Sequence, residues 1–186
     1  MKSKKLVVMF PGIGYHCDKP LLYYSRDIAR DNGYDCIEIK YDLPVKAKDV
    51  KDNKEKKQDV FNIAAKQANE QLSVIDFSEY EKVLFVGKSL GTVVAAYCDR
   101  EMKIGARHIV FTPVPGTFEY LRKGCGVVFH GTSDPWCETK LVMDKCSELE
   151  LDLITVGGAN HSLEVKDTLE NIRTIEMVME RVKKEM

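Results

Sequence analysis

The stretch Val83-Leu84-Phe85-Val86-Gly87-Lys88-Ser89-Leu90-Gly91-Thr92 decides how this chain is read. Four apolar residues of strand character run directly into Gly-x-Ser-x-Gly, and a helical segment opens at Leu90. A serine on so sharp a strand-to-helix turn is lifted off the sheet, where its hydroxyl can react. The requirement is steric: positions 87 and 91 must lack side chains for strand and helix to approach each other. At average residue usage the bare pattern arises by chance on the order of 0.05 times in a chain this long, before any flanking strand or helix is demanded. A packing turn holding an idle serine is the competing reading, so the rest of the chain must supply partners for Ser89.

Working outward, short apolar runs at residues 6–10, 36–41, 108–112, 127–130 and 153–156 join 83–86 as predicted buried strands. Between them the periodicity predicts helices over 19–32, 53–75, 90–102, 138–149 and 167–184. Val60, Ala64, Ala68 and Leu72, four apart, share one helix face, and Gly33 is a stop for the first helix. Asp167 and Glu170 make a capping-box-like start for the last, whose stripe Leu169, Ile172, Ile175, Met179 and Val182 is expected to pack in the core. Strands alternating with helices imply a mostly parallel, about six-stranded sheet with right-handed crossovers and helices on both faces, an α/β three-layer sandwich. No repeat, low-complexity tract or interdomain linker interrupts it, so one domain over 1–186 is expected.

A serine hydroxyl needs a base to take its proton. Four histidines are present. His108 and His130 lie within predicted strands and read as structural, while His16 falls in the first loop. His161 follows the last strand and Gly157-Gly158, at the carboxyl end of the sheet where Ser89 also emerges. The base in turn needs an acid, and Asp134 follows the strand 127–130 in Gly131-Thr132-Ser133-Asp134-Pro135-Trp136. Asp before Pro is also a common turn cap, and this reading stays open. No acid directly follows the strand 108–112. For an oxyanion, the Leu90 amide at the positive end of its helix is one donor. The second is expected from Phe10-Pro11-Gly12-Ile13-Gly14-Tyr15, with Ile13 chosen and Gly14 as the alternative.

These residues resemble the α/β-hydrolase superfamily from the first strand to the final helix, and in particular its small, lidless, dienelactone-hydrolase-like members. Gly-Lys-Ser-Leu-Gly, His-Gly-Thr-Ser-Asp-Pro and Asn-His-Ser-Leu-Glu stand in matching order, as do Ser89, Asp134 and His161. Two positions depart from the pattern: Pro11-Gly12 replaces the His-Gly of many members, and serine stands where dienelactone hydrolase itself has cysteine. The resemblance implies a minimal core of six central strands, lacking the usual two N-terminal antiparallel ones. Only residues 113–125 separate the fourth and fifth strands, too few for a cap domain. A shallow pocket is therefore expected, lined by Ile13, Gly14, Tyr15, His16, Leu90, Pro113, Val114, Trp136 and Leu163.

The implied chemistry is cleavage of a small ester or thioester through an acyl-enzyme on Ser89. An acyltransferase of the same fold and a catalytically idle binding domain are the alternatives. No cofactor or metal is called for: the six cysteines show no Cys-x-x-Cys pair, and Gly12 and Gly14 begin a dinucleotide fingerprint that fails at Cys17. With 28 Lys and Arg against 29 Asp and Glu, the chain has no global field for nucleic acid or anionic membrane. A local excess of lysine over 45–58 reads as a solvated loop and helix start, with a functional basic patch as the lesser reading. The N-terminal apolar run is too short for a signal peptide, and no run approaches the ~20 residues of a membrane span. Reduced thiols in a cytoplasm fit best; the partner expected is a small acyl substrate, and the oligomeric state is open.

Overall fold

The computed structural model describes residues 4–50 and 53–186. The chain runs β1 (Lys5–Phe10), α1 (Pro20–Asp31), β2 (Tyr34–Glu38), α2 (Ala47–Val50), α3 (Lys54–Leu72), β3 (Lys82–Lys88), α4 (Leu90–Met102), β4 (Arg107–Phe111), β5 (Gly126–Gly131), α5 (Thr139–Glu148), β6 (Asp152–Val156) and α6 (Thr168–Lys184). The six strands form one sheet in the order β2-β1-β3-β4-β5-β6, and every neighbouring pair is parallel.

Alternation along the strands sends side chains to two different cores. Val7, Met9, Leu84 and Val86 pack under α1 and α6, with Leu21, Leu22, Val178 and Val182. Leu6, Val8, Phe10 and Phe85 pack on the other face under α3 and α4, against Val60, Ala64, Ala68, Leu72 and Val94. On that same face, α5 brings Val142 and Cys146 onto Val110 and Val128. Helices thus cover both faces, α1 and α6 on one and α2 to α5 on the other, as the alternation of strands and helices implies.

The helix ends follow their local chemistry. Pro20 sits at the start of α1, and Gly33, at φ 78°, ends the turn after it. Asn53 and Asp167 cap α3 and α6, their side chains accepting from the amides of Lys56 and Glu170.

Three expectations need correction. The second strand stops at Glu38 rather than Tyr41. Beyond Ile39, whose amide still donates to the Met9 carbonyl, glutamine side chains of α3 replace a neighbouring strand. Gln71 bonds the Lys40 amide and carbonyl at 3.0 and 2.8 Å, and Gln67 bonds those of Asp42 at 2.8 and 3.1 Å. The stripe on α6 is only half buried: Met179 and Val182 are in the core with Ile175 packed against it, whereas Leu169 and Ile172, on the first turns, find no packing partner among the described residues and are exposed. Finally, α2 is a short helix inside the lysine-rich segment. Lys51 and Asp52 of that segment lie outside the described residues. Among the described residues no helix is long and apolar enough to cross a membrane.

Candidate active site

The strand order reverses at β1, whose neighbours β2 and β3 lie on opposite sides. At such a switch point the loops leaving the strands diverge and open a crevice at their carboxyl ends. Ser89 leaves β3 there, with φ 54° and ψ −119°. A non-glycine residue in that region is strained by on the order of 1–3 kcal/mol, which the hydrogen bond from its amide to the Phe111 carbonyl (3.1 Å) helps to hold. A Cβ on Gly91 would collide with the carbonyl of Phe10, so α4 can lie this close to β1 only with glycine at 91.

The structure brings Ser89, His161 and Asp134 into one line. The Ser89 hydroxyl donates to His161 Nε2 at 2.7 Å, and His161 Nδ1–H donates to Asp134 Oδ2 at 2.7 Å. Asp134, whose side chain is fully buried, uses its other oxygen to accept from the Trp136 amide at 2.8 Å. It is therefore both the turn cap and the partner of the histidine. Burial holds the His161 imidazole below its ordinary pKa, and the positive charge of Lys88 adds to this, while the Asp134 hydrogen bond opposes it. A neutral imidazole with Nδ1–H on Asp134 leaves Nε2 free to accept a proton.

The turn after β1 closes on itself: the amide of Gly12 donates to the Tyr15 carbonyl and that of Tyr15 to the Gly12 carbonyl. The amides of Ile13 and Gly14 are left with no acceptor among the described residues. This turn touches the serine, since a Cβ on Gly12 would lie 3.1 Å from that of Ser89. Leu90, first residue of α4, likewise has a free amide at the helix N-terminus. Ile13, Leu90 and Ser89 border one cavity.

That cavity holds about 920 Å³, toward the upper end of small-molecule sites, a larger space than the short loops alone enclose. Its extra wall is α3, which contributes Val60, Phe61, Gln58, Lys54 and Lys57. Phe61 is fixed by Tyr97 (ring centroids 5.4 Å apart) and by a stack on Tyr120 (6.0 Å). Of the expected lining, Ile13, Gly14, Tyr15, Leu90, Val114 and Trp136 are present. Three residues are not. His16 is exposed and turned outward beside Asp18, into a separate groove, because Tyr15 takes the inward position. Pro113 is buried, and the chain reaches the cavity only at Val114. Leu163 points into the α1–α6 core, leaving Ser162 and Glu164 to face the opening.

Two neighbours were not legible as site residues. His130, fully buried, bonds Thr139 through Nε2 at 3.0 Å and holds Nδ1 4.0 Å from Asp134 Oδ2. Lys88, the variable residue inside the motif, lines the cavity with its ammonium 5.0 Å from the centre of the Tyr15 ring. A lysine closing an otherwise apolar buried strand was the available signal. By contrast His108 is structural as expected, bonded to Asp99, which also binds Arg122 and the amides of Gly105 and Ala106.

The sequence matches no family model and no curated protein. Solved structures do match. Over its whole length the chain superposes on 89% of Est1E from Butyrivibrio proteoclasticus, a protein solved with ferulic acid bound, with a TM-score of 0.69 at 12% identity. It likewise covers 86% of an α/β serine hydrolase homologue from Coxiella burnetii (all of this chain, TM-score 0.59, 14% identity). A lidless α/β serine hydrolase from Xanthomonas campestris matches 95% of this chain over 81% of its own, with a TM-score of 0.58 at 14% identity.

Proposed function

We propose, from an α/β-hydrolase fold as premise, that this chain is a serine hydrolase that cleaves esters or thioesters through an acyl-enzyme on Ser89. The observation that carries the reading is the unbroken line Ser89 Oγ, His161, Asp134, with 2.7 Å at each step. In acylation, His161 Nε2 takes the Ser89 proton as Oγ bonds to the carbonyl carbon. The amides of Leu90 and Ile13 receive the charge that moves onto the carbonyl oxygen. When the tetrahedral adduct collapses, the bond to the leaving oxygen or sulfur breaks and His161 returns the proton to it. Water then repeats the sequence on the acyl-enzyme and releases the acid.

Asp134 holds the tautomer and stabilises the imidazolium without taking its proton. No cofactor or metal enters this scheme, and a small acyl compound is the partner. Six free cysteines, five of them buried, support a reducing compartment such as the cytoplasm as the place of work.

A fluorophosphonate is expected to label Ser89, and Ser89→Ala to lose both labelling and ~10⁴-fold or more of the turnover. Hydrolysis at near-normal rate in Ser89→Ala would overturn the assignment. Product analysis with added alcohols separates hydrolysis from acyl transfer, and absence of any labelling or turnover would favour an idle binding domain.

A further inference from the structure

We propose that Lys88 is a specificity-determining residue that binds a carboxylate of the substrate, so that the preferred substrate is a small ester bearing one free carboxylate a few bonds from the scissile carbonyl. This rests on the hydrolase reading of Ser89. Lys88 is the last residue of β3 and, by strand alternation, points to the α1 face beside the Gly12–Tyr15 turn, opposite Gly87. It is 3% exposed and yet borders the same cavity as Ser89.

A lysine so buried has given up most of its water, and what its ammonium still reaches is the cavity. Among the described residues no carboxylate lies within 4.0 Å of it. Asp134 has both oxygens engaged, by His161 and by the Trp136 amide. Tyr15 offers only its ring face, for its hydroxyl is turned to the Leu21 amide. The three donors of the ammonium therefore look to the cavity for a partner. Burial lowers the Lys88 pKa to about 7, against the opposing pull of Asp134 and Glu164, and an anion bound there would restore its charge.

The chemistry selects a carboxylate over a phosphate. One buried ammonium balances one negative charge, whereas a phosphate dianion would bring a second charge that no other buried lysine or arginine among the described residues lining the cavity offsets. The remaining lining charges, Lys19, Lys54 and Lys57 with Glu119 and Glu164, are all exposed. Exposed charges are screened and steer an anion inward more than they select it.

The test uses pairs of esters matched in shape and differing in charge. Monomethyl glutarate is paired with methyl 5-oxohexanoate for a charge on the acyl side, and acetoxyacetate with acetonyl acetate for one on the alcohol side. kcat/KM is measured at about pH 6.5, where the free carboxyl is ionised. At least one pair is expected to favour the anion by ~10-fold or more. In Lys88→Met, or Lys88→Gln if Met does not fold, that ratio should fall to within ~3-fold of unity, while the exposed pair Lys54→Gln/Lys57→Gln keeps most of it. Equal rates within both pairs in the unaltered protein, or a ratio kept in Lys88→Met, overturns the inference. Should no ester be hydrolysed, the hydrolase reading fails first, and calorimetric binding of the same compounds to the unaltered protein decides the rest. Preferential binding of the anionic members, lost in Lys88→Met, upholds the carboxylate site, and equal binding overturns it.

Discussion

Trp136 lies against the imidazole of His161, ring centroids 5.4 Å apart and planes 28° apart, while its own backbone amide donates to Asp134. One residue thus bears on both partners of the serine, shielding the base with its ring and fixing the acid with its main chain. The ring is part of what keeps water from His161.

The acylation rate is expected to rise with pH as His161 loses its proton. Its midpoint should lie below the ordinary imidazole value of 6.5, because burial and the Lys88 charge disfavour the imidazolium more than Asp134 favours it. In Trp136→Ala the imidazole gains water, so the midpoint should move up and kcat should fall ~10-fold, whereas Trp136→Phe should restore both. Pre-steady-state acylation across pH 5 to 8, the window in which histidine titrates, reads this. A midpoint unmoved by removal of the indole would return Trp136 to mere packing.

Asp134→Asn should remain folded and lose up to ~10⁴-fold in turnover, since an amide can present its N–H to Nδ1 and so stabilise the wrong tautomer. Circular dichroism and steady-state kinetics check the two halves of this statement. Unchanged kinetics in a folded variant would leave Asp134 as the turn cap that its bond to Trp136 already makes it.

The α3 wall should be felt in acyl-chain selectivity. Each methylene laid against Val60, Phe61 and Val114 is worth ~0.8 kcal/mol, or about fourfold in specificity. The specificity constant for aryl esters is thus expected to climb from acetate to about octanoate and then to level off. Phe61→Ala should flatten the climb and leave acetate nearly unaffected. A maximum at acetate would mean that the wall does not contact the acyl group.

Lys88 also makes a prediction about stability. Its folded pKa of about 7 lies below the ~10.4 of an unfolded lysine. Between those values the unfolded chain holds a proton that the native chain lacks, so stability rises with pH across the window. Lys88→Met removes the penalty and should melt at higher temperature at pH 7 and below, with the advantage shrinking toward pH 10. A difference independent of pH would show that the ammonium is not desolvated.

The elements that were legible are those governed by local pattern. The segment 90–102 matches α4 to the residue, since the glycine-flanked turn and the apolar spacing both mark its start. The order Ser89, Asp134, His161 was readable because each follows a strand, and parallel strands deliver all three loops to one edge. What escaped were features set by one element on another. Ile39 and Tyr41 continue a strand-like alternation, yet Gln67 and Gln71 of a distant helix take the hydrogen bonds that a strand would have made. The size of the cavity depends on which face α3 turns inward, and the burial of Lys88 depends on Tyr15 and the turn around it; neither is periodic in the sequence.

Gln67 and Gln71 fasten α3 to the chain leaving the sheet's outer strand, through residues other than those that hold Ser89, Asp134 and His161 in line. The machinery for bond breaking and the wall that admits the molecule to be broken are thus held by separate parts of the chain. Divergence has somewhere to act: changes at Gln58 or Phe61 alter what enters and leave the reacting atoms in register. A library aimed at new substrates would begin at Gln58, Lys54 and Lys57, exposed on that face of α3, where a single substitution redraws the boundary of the cavity at little risk to the fold.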